Sequence, residues 1–567
     1  MKKIVALLLT MLMICGVFAL PASAAESKRE KCPIIFIAGS SIDICDADGN
    51  IISTGFDVLT DDDEGDMSKD EIIEAVTNIL IPFVTKGLPK DEWDDYGEAL
   101  YEELAPIWDD TQLDGNGNAK YGTGVSAKEI ADGDYNAQNV DHGKDGKFGL
   151  WDYKFRYDWR LSPYDHVDRL HQFIKDVIKT TGCSQVALVG RCLGGNVITA
   201  YLNTYGEEKL VKKVVFDEVM SNGSVVINDC FSGKVKFSDK HVQAYLLESE
   251  YYGKMGTGID LIGVNDLLLE VANSLFDVLT QMGATQGILN GVYGLYERLY
   301  EALMPSMLLA TGIGTWVSYW SSVSAEDLDT AVDLIFGKEG TERRAEYAGL
   351  VEKIYTIRDT FTIPRNLEGD DNLYKKYVKD YGVEIAVIAG YGLVNPPMVE
   401  SADVNGDIVV DTKNSSFGAT VAGVFDTLPQ DYIDAQVAAG KGKYISPDGK
   451  VDTSTCLFPE TTWIIKNKHH DIPSAWEAIA ENFTQYSNFT ADSNPKNYSR
   501  FLISTGKSRN EFENMTADNC ADGIWLEEIE QEPTKETQAS AFIRFFTALF
   551  KFLAEIFKGN FDAKFEF

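Results

Sequence analysis

Two kinds of hydrophobic pattern alternate along this chain. Short continuous runs of apolar and β-branched residues, each bounded by turn-forming residues, are typical of buried strands. A helical pattern over 167–179 leads into one such strand, and a helix over 196–204 separates this strand from the next. Strand-like runs occur at 33–38, 185–189, 211–216, 383–389 and 461–465. This alternation predicts an α/β fold built on a mostly parallel sheet with right-handed crossovers.

A long segment between the third and the fourth of these runs lacks the strand pattern. Residues 236–380 predict helices at 260–282, 287–303, 325–336 and 345–359. The stretch 304–323 has no charged residue and is long enough to suggest a membrane span. Because it also contains Pro305, two glycines and several serines and threonines, we favour a helical cap that covers a site.

The remaining segments are polar or amphipathic. Residues 46–149 form an acidic, turn-rich insertion with one helical pattern at 69–80. Its Asp-rich stretches at 46–50 and 114–118 resemble calcium loops but lack the Glu at the twelfth position, so we expect surface turns and no metal. The end of the chain, 526–567, is an acidic linker followed by an aromatic amphipathic helix at 541–558, which fits either docking onto protein or adsorption to lipid.

The first residues have the form of an export signal. Lys2 and Lys3 precede an apolar stretch at 4–20, and Ala22, Ser23 and Ala24 give a small-x-small cleavage pattern. We therefore expect a signal peptide at 1–24, cleavage near Ala24, and a secreted or cell-surface-associated protein. The rest divides into a core at 25–235, the helical insertion at 236–380, and a second part of the core at 381–525.

The net charge and the cysteine spacing argue against several classes of partner and cofactor. The formal net charge is −37, and such a surface repels phosphate backbones, so we expect no nucleic-acid partner. Beyond Cys15 in the signal segment, seven cysteines are scattered without metal-ligand spacing. We expect no metal and no cofactor. An odd number of cysteines leaves at least one thiol outside any disulfide within the chain.

One cysteine stands in a pattern that suits a nucleophile. Gly190-Arg191-Cys192-Leu193-Gly194 follows an apolar strand and precedes a helix. This is the layout of the strand-turn-helix elbow that carries the nucleophile of α/β hydrolases, with cysteine in the usual serine position. The Leu193 N–H at the helix start would face a developing oxyanion. The alternative is a buried structural cysteine in a glycine-bounded turn.

The remaining members of a triad should follow the nucleophile in the order acid, then histidine. Only His469 and His470 lie late in the chain, directly after the strand-like run at 461–465, and we favour His470. The loop after the run at 383–389 offers Asp407, which we favour, with Asp411 as second choice.

Three segments resemble one branch of the α/β hydrolases, the lecithin–cholesterol acyltransferase-like lipases and acyltransferases. They are the Y-D-W-R-L segment at 157–161, the opening strand and loop at 33–39, and Gly406-Asp407. The resemblance implies an α/β-hydrolase fold with a cap, Cys192, Asp407 and His470 as catalytic residues, and Leu193 with Ser40 as oxyanion N–H donors. The chain departs from that pattern at Arg191, Cys192 and Ile408, where the branch has histidine, serine and glycine.

These features predict an enzyme that acts on lipid-like acyl esters. A cysteine nucleophile would form a thioester, so the reaction could be hydrolysis or acyl transfer. The cap and the C-terminal helix could contact a membrane surface. The alternative is a catalytically inactive protein on the same fold that binds a lipid or a cell-surface ligand. Convergence of Cys192, His470 and Asp407 would favour the enzyme.

Overall fold

A computed structural model of the protein describes residues 32–39, 44–53, 97–124, 148–236, 241, 304–395, 399–468, 470 and 476–521, apart from short stretches within these ranges. The predicted signal segment, the helices predicted at 69–80, 260–282 and 287–303, and the segment at 526–567 lie outside the described residues.

The described part is organised around one large sheet of eight strands. In chain order these are β1 (Ile34–Ile37), β2 (Tyr153–Phe155), β3 (Val186–Arg191), β4 (Val211–Asp217), β5 (Glu384–Tyr391), β6 (Thr462–Lys466), β7 (Phe501–Ser504) and β8 (Phe512–Asn514). Their spatial order is β2-β1-β3-β4-β5-β6-β7-β8. Every neighbouring pair is parallel except β7 and β8. The predicted α/β fold with a mostly parallel sheet is confirmed.

The central strands are apolar because both of their faces are covered. Phe216 of β4 packs in one hydrophobic cluster together with Leu170 of a helix that precedes β3. Val215, the next residue back along β4, packs in a second cluster with Trp476 of a late helix. Successive strand residues point to opposite faces, so helices cover the sheet on both sides.

The helices on and around this sheet are mostly short. The α-helices that lie wholly within the described residues are, in chain order, α1 (Val167–Thr181), α2 (Gly194–Tyr205), α3 (Val225–Ser232), α4 (Val317–Trp320), α5 (Leu328–Phe336), α6 (Glu342–Glu346), α7 (Ala348–Ile357), α8 (Leu373–Lys376), α9 (Thr412–Ser415), α10 (Gln430–Ala438) and α11 (Trp476–Gln485). The helix predicted at 345–359 is divided in the structure, because Tyr347 between α6 and α7, with φ −94° and ψ 19°, is not helical.

The uncharged stretch 304–323 is folded into the protein as short helical pieces. One helical piece spans 304–310, Gly312 has a left-handed φ of 79°, and α4 follows. The indole N–H of Trp316 donates to the carbonyl oxygen of Thr111 at 2.8 Å. Trp316 and Trp320 belong to the same hydrophobic cluster as α1 and α2. Among the helices that the structure describes, none combines the length and apolar composition that a membrane crossing requires.

The two calcium-like stretches form tight turns. Asp114 Oδ1 accepts hydrogen bonds from the backbone N–H groups of Asn116 and Asn118, both at 2.9 Å. Asp46 makes the same pair of bonds in its own loop. These are Asx turns, in which the side chain replaces a backbone acceptor, as the turn preferences of Asp and Asn predict.

Candidate active site

Cys192 lies on a strained turn between β3 and α2. Its φ is 52°, in the left-handed region that L-residues other than glycine rarely adopt. The Cys192 N–H donates to the carbonyl oxygen of Asp217 at 3.2 Å, and its own carbonyl oxygen accepts from Gly195 N–H at 3.1 Å. The side chain is buried and carries a free thiol. Neighbouring backbone therefore holds Cys192 in a conformation that the residue would not choose alone.

Glycines on either side make this turn possible. A Cβ on Gly194 would lie 2.1 Å from the carbonyl oxygen of Ile37, and one on Gly190 would lie 2.9 Å from the Gly195 nitrogen. A Cβ on Gly39, in the loop after β1, would lie 2.7 Å from the Cβ of Cys192. The chain therefore passes so close to Cys192 at three points that only glycine fits.

His470 reaches the same edge of the sheet from the segment after β6, and Asp407 reaches it from the loop after β5. His470 Nδ1 lies 2.9 Å from Asp407 Oδ2, and both side chains are buried. The backbone N–H of His470 also donates to the Asp407 carbonyl oxygen at 3.3 Å. Because Nδ1 is engaged by the carboxylate, Nε2 is the ring nitrogen that remains for Cys192.

The turn around Asp407 holds its carboxylate in place. Oδ1 accepts from the N–H groups of Val409 at 2.9 Å and Val410 at 2.7 Å, which leaves Oδ2 to His470. Ile408, between Asp407 and Val409, has a φ of 86°. The glycine that the resemblance implies at this position is absent, yet the backbone has the conformation that glycine favours.

The charges in the site act on one another strongly. Burial lowers the pKa of His470, but Asp407 and Cys192 together raise it well above its ordinary value. Burial raises the pKa of Asp407, but the charge and hydrogen bond of His470 hold it below its ordinary value. The arrangement therefore favours an imidazolium between two acidic groups, one of them the thiol of Cys192.

The other predicted site residues lie as follows. Asp411 is buried, but its carboxylate accepts from the N–H groups of Val225 at 3.1 Å and Asn414 at 3.0 Å and caps α9, so the acid that meets His470 is Asp407. Leu193 directly precedes α2. Ser40 and His469 lie outside the described residues.

Tyr157 and Arg191 fix the segments that carry the site relative to one another. Tyr157 donates its hydroxyl to the carbonyl oxygen of Ala38 at 3.0 Å, which anchors the loop after β1 beside Cys192. Arg191 donates to the carbonyl oxygen of His470 and lies 3.5 Å from Asp217. Arg191 thus ties the segment that carries the histidine to the segment that carries the cysteine.

Glu218 and Lys468 are charged residues at this site that the sequence reasoning missed. Lys468 Nζ pairs with Glu218 Oε2 and lies 3.7 Å from Asp217 Oδ1, and all three side chains are buried. Donor atoms of Glu218, Asp407 and His470 lie within 4.8 Å of one another. The ammonium of Lys468 already supplies the positive charge that these carboxylates need. The sequence contains a pattern that could have indicated Glu218, since Asp217 and Glu218 directly follow an apolar strand-like run.

Backbone strain is concentrated here. Among the described residues, seven other than glycine have a positive φ. Four of these seven are Cys192, Glu218, Ile408 and Asn467, and each lies in a segment that leaves the carboxyl end of a central strand. Such strain persists only where the surroundings enforce it, and it is typical of functional sites.

The chain was compared with known proteins. No family model, no curated protein and no solved structure matches it. The chemistry of the site is therefore inferred from its own atoms.

Proposed function

We propose that this protein is an exported α/β hydrolase, similar to the lecithin–cholesterol acyltransferase-like branch, that cleaves or transfers acyl esters through Cys192. One observation carries the proposal: a strained, glycine-bounded cysteine lies with a buried His470–Asp407 pair at the carboxyl edge of a parallel sheet. The chain order of nucleophile, acid and histidine is the order of α/β hydrolases. Ligand sites in such sheets occur at this edge.

The first half of the reaction makes a thioester. The Cys192 sulfur, whose proton is held by His470, attacks the ester carbonyl carbon, a C–S bond forms, and negative charge moves to the carbonyl oxygen. The Leu193 N–H and an amide of the loop after β1 donate to that oxygen. When the carbonyl re-forms, the ester C–O bond breaks and His470 passes its proton to the departing alcohol oxygen. The products are an alcohol and the Cys192 thioester.

The second half releases the acyl group. Water or a second alcohol attacks the thioester, and His470, now neutral, accepts the proton of the attacking hydroxyl. The C–S bond breaks, and the thiolate returns to its place beside the imidazolium. Asp407 holds the ring in one tautomer throughout, since its carboxylate is bound to Nδ1. A thioester is reactive toward alcohols as well as water, which suits acyl transfer.

The surroundings of Cys192 suit an apolar acyl group. Its sulfur lies 3.7 Å from the sulfur of Met220, and Trp159 and Trp316 lie in the same hydrophobic cluster. The helical pieces between 304 and 336 contribute residues to this cluster, and we propose that they belong to a cap over the site. We therefore propose lipid-like acyl esters as the substrate class, and contact with a membrane surface through the cap and the C-terminal helix.

The test measures ester turnover by the protein without its predicted signal segment, residues 25–567. Release of p-nitrophenol from short- and long-chain acyl esters is measured for wild type, Cys192→Ala and Cys192→Ser. We expect Cys192→Ala to lose roughly a thousandfold or more of kcat/KM, because the nucleophile is gone. Cys183→Ala is the matched control, since Cys183 is a half-buried free thiol away from the elbow, and it should retain wild-type turnover.

The other outcomes discriminate between functions. Activity in Cys192→Ser with a silent wild type would indicate that the triad is competent and that the natural reaction is acyl transfer or cleavage of a different ester. Absence of ester turnover in all three proteins, or full activity of Cys192→Ala, would contradict the proposal and favour a binding protein on the same fold.

A further inference from the structure

Two buried charged side chains lie beside the triad without belonging to it. Glu218 follows β4 with a φ of 45°, and Lys468 lies two residues before His470. Their side chains are fully buried and paired with each other. A buried ion pair recovers its desolvation cost only in part, so its presence beside reacting groups calls for a role.

The groups that face Glu218 come from three separate segments. Lys468 and His470 follow β6, Asp407 lies in the loop after β5, and Asp217 ends β4. On β5 a Cβ added to Gly390 would lie 2.6 Å from Glu218 Oε1. The Glu218 carboxylate thus fills a space between the sheet edge and the His470–Asp407 pair.

Resting on the proposed function, we infer that Glu218 is a positioning residue whose carboxylate keeps His470 protonated, while Lys468 keeps that carboxylate oriented. Glu218 does not touch the substrate in this proposal. It acts through His470, whose proton must remain available until the alcohol leaves.

The physical reason is the balance of charge in a dry site. A negative charge within about 4–6 Å of an imidazolium favours the protonated ring, and a positive charge disfavours it. Lys468 pairs with Glu218 and also acts on the charge of Asp407, the partner of His470. Without the Glu218 carboxylate, only Asp217 and Asp407 would balance the charge of Lys468.

Glu218 titrates at mildly alkaline pH. Burial raises its pKa to about 8 against the opposing effect of Lys468. The pKa of His470 is also held well above its ordinary value. Glu218 therefore gains its charge at mildly alkaline pH, and this is where we expect its effect on His470.

The experiment follows His470 itself. The full chain is labelled with ¹³C-histidine, the His470 ring signal is assigned by comparison with His470→Gln, and the signal is titrated by NMR. We expect His470 of Glu218→Gln to lose its proton at a pH lower by about one unit or more than in wild type. The alkaline limb of ester turnover should move in the same direction.

Two further variants serve as controls. Glu384→Gln removes a carboxylate at the amino end of β5, where it lies 3.6 Å from Lys213, and should leave the His470 titration unchanged. Glu218→Gln/Lys468→Met removes both charges together, so it remains informative if the single variant fails to fold. The His470 titration of the double variant should lie closer to wild type than that of Glu218→Gln. Lys468→Met alone should shift the His470 titration in the opposite direction, to higher pH.

The inference is overturned if the His470 titration of Glu218→Gln equals that of wild type. Where that variant does not fold, the inference is overturned if neither Lys468→Met nor the double variant shifts the His470 titration. This readout does not depend on ester turnover. A displaced titration together with a fully active Cys192→Ala would instead contradict the proposed function, so the two failures are distinguishable.

Discussion

At the scale of single residues, Ile408 shows how the site stores strain. It is β-branched and has a φ of 86°, beside the carboxylate that orients His470. A left-handed conformation costs an L-residue roughly 1–2 kcal/mol, and glycine avoids this cost. The strain is tolerated because the turn directs the Val409 and Val410 N–H groups at Asp407.

This strain makes a prediction about substitution. Glycine is ordinarily less favourable than alanine, but at position 408 we expect Ile408→Gly to be more stable than Ile408→Ala by about 1 kcal/mol, because only glycine relieves the backbone. Thermal unfolding of the two variants compares them directly, with the loss of the isoleucine side chain common to both. A higher Tm for the alanine variant would show that the left-handed turn is not enforced.

At the scale of elements, the loop after β5 carries two buried aspartates with different tasks. Asp407 faces His470, whereas Asp411 caps α9 and binds the Val225 N–H. We expect Asp407→Asn to lower kcat/KM by at least about a hundredfold, because an amide can hold the imidazole in the wrong tautomer. Asp411→Asn should lower Tm but leave the kcat of the folded protein near wild type.

Steady-state kinetics with thermal unfolding separate these two effects. Equal loss of kcat in the two variants, at equal folded fraction, would contradict the assignment of Asp407. Reversal of the two phenotypes would make Asp411 the acid and require a different conformation of this loop.

At the scale of the whole molecule, the His470–Asp407 pair joins segments that are 63 residues apart and should make stability depend on pH. The pKa of His470 is raised, so its contribution is complete below about pH 6.5 and is lost as pH rises through the raised value. The pKa of Asp407 is lowered, so its contribution is complete above about pH 4 and is lost as pH falls through the lowered value.

The prediction concerns the difference between two proteins. The Tm of wild type minus that of Asp407→Asn/His470→Gln should be largest between about pH 4 and 6.5 and should fall on both sides, because the double variant lacks the pair. Subtraction removes the effect of the many other acidic groups in this chain. A difference that does not change with pH would indicate that the pair is not charged in the folded protein.

The sequence by itself determined the elements that depend on local pattern. Continuous apolar runs predicted β3, β4, β5 and β6 to within a few residues, because a strand buried on both faces has few polar positions. The glycines around Cys192 predicted a tight turn between strand and helix, because close backbone contact leaves no room for a side chain. Chain order selected the late histidines and the aspartates after β5 as candidates.

Only the tertiary structure decided which candidates meet. Asp407 and Asp411 are both buried in one loop, and the direction of a single turn at Ile408 aims one of them at His470. Glu218 and Lys468 are 250 residues apart in the chain, and they pair because parallel strands bring their carboxyl ends to one edge. Local periodicity describes which face of an element is apolar, but the identity of a buried charge's partner depends on which strand ends become neighbours.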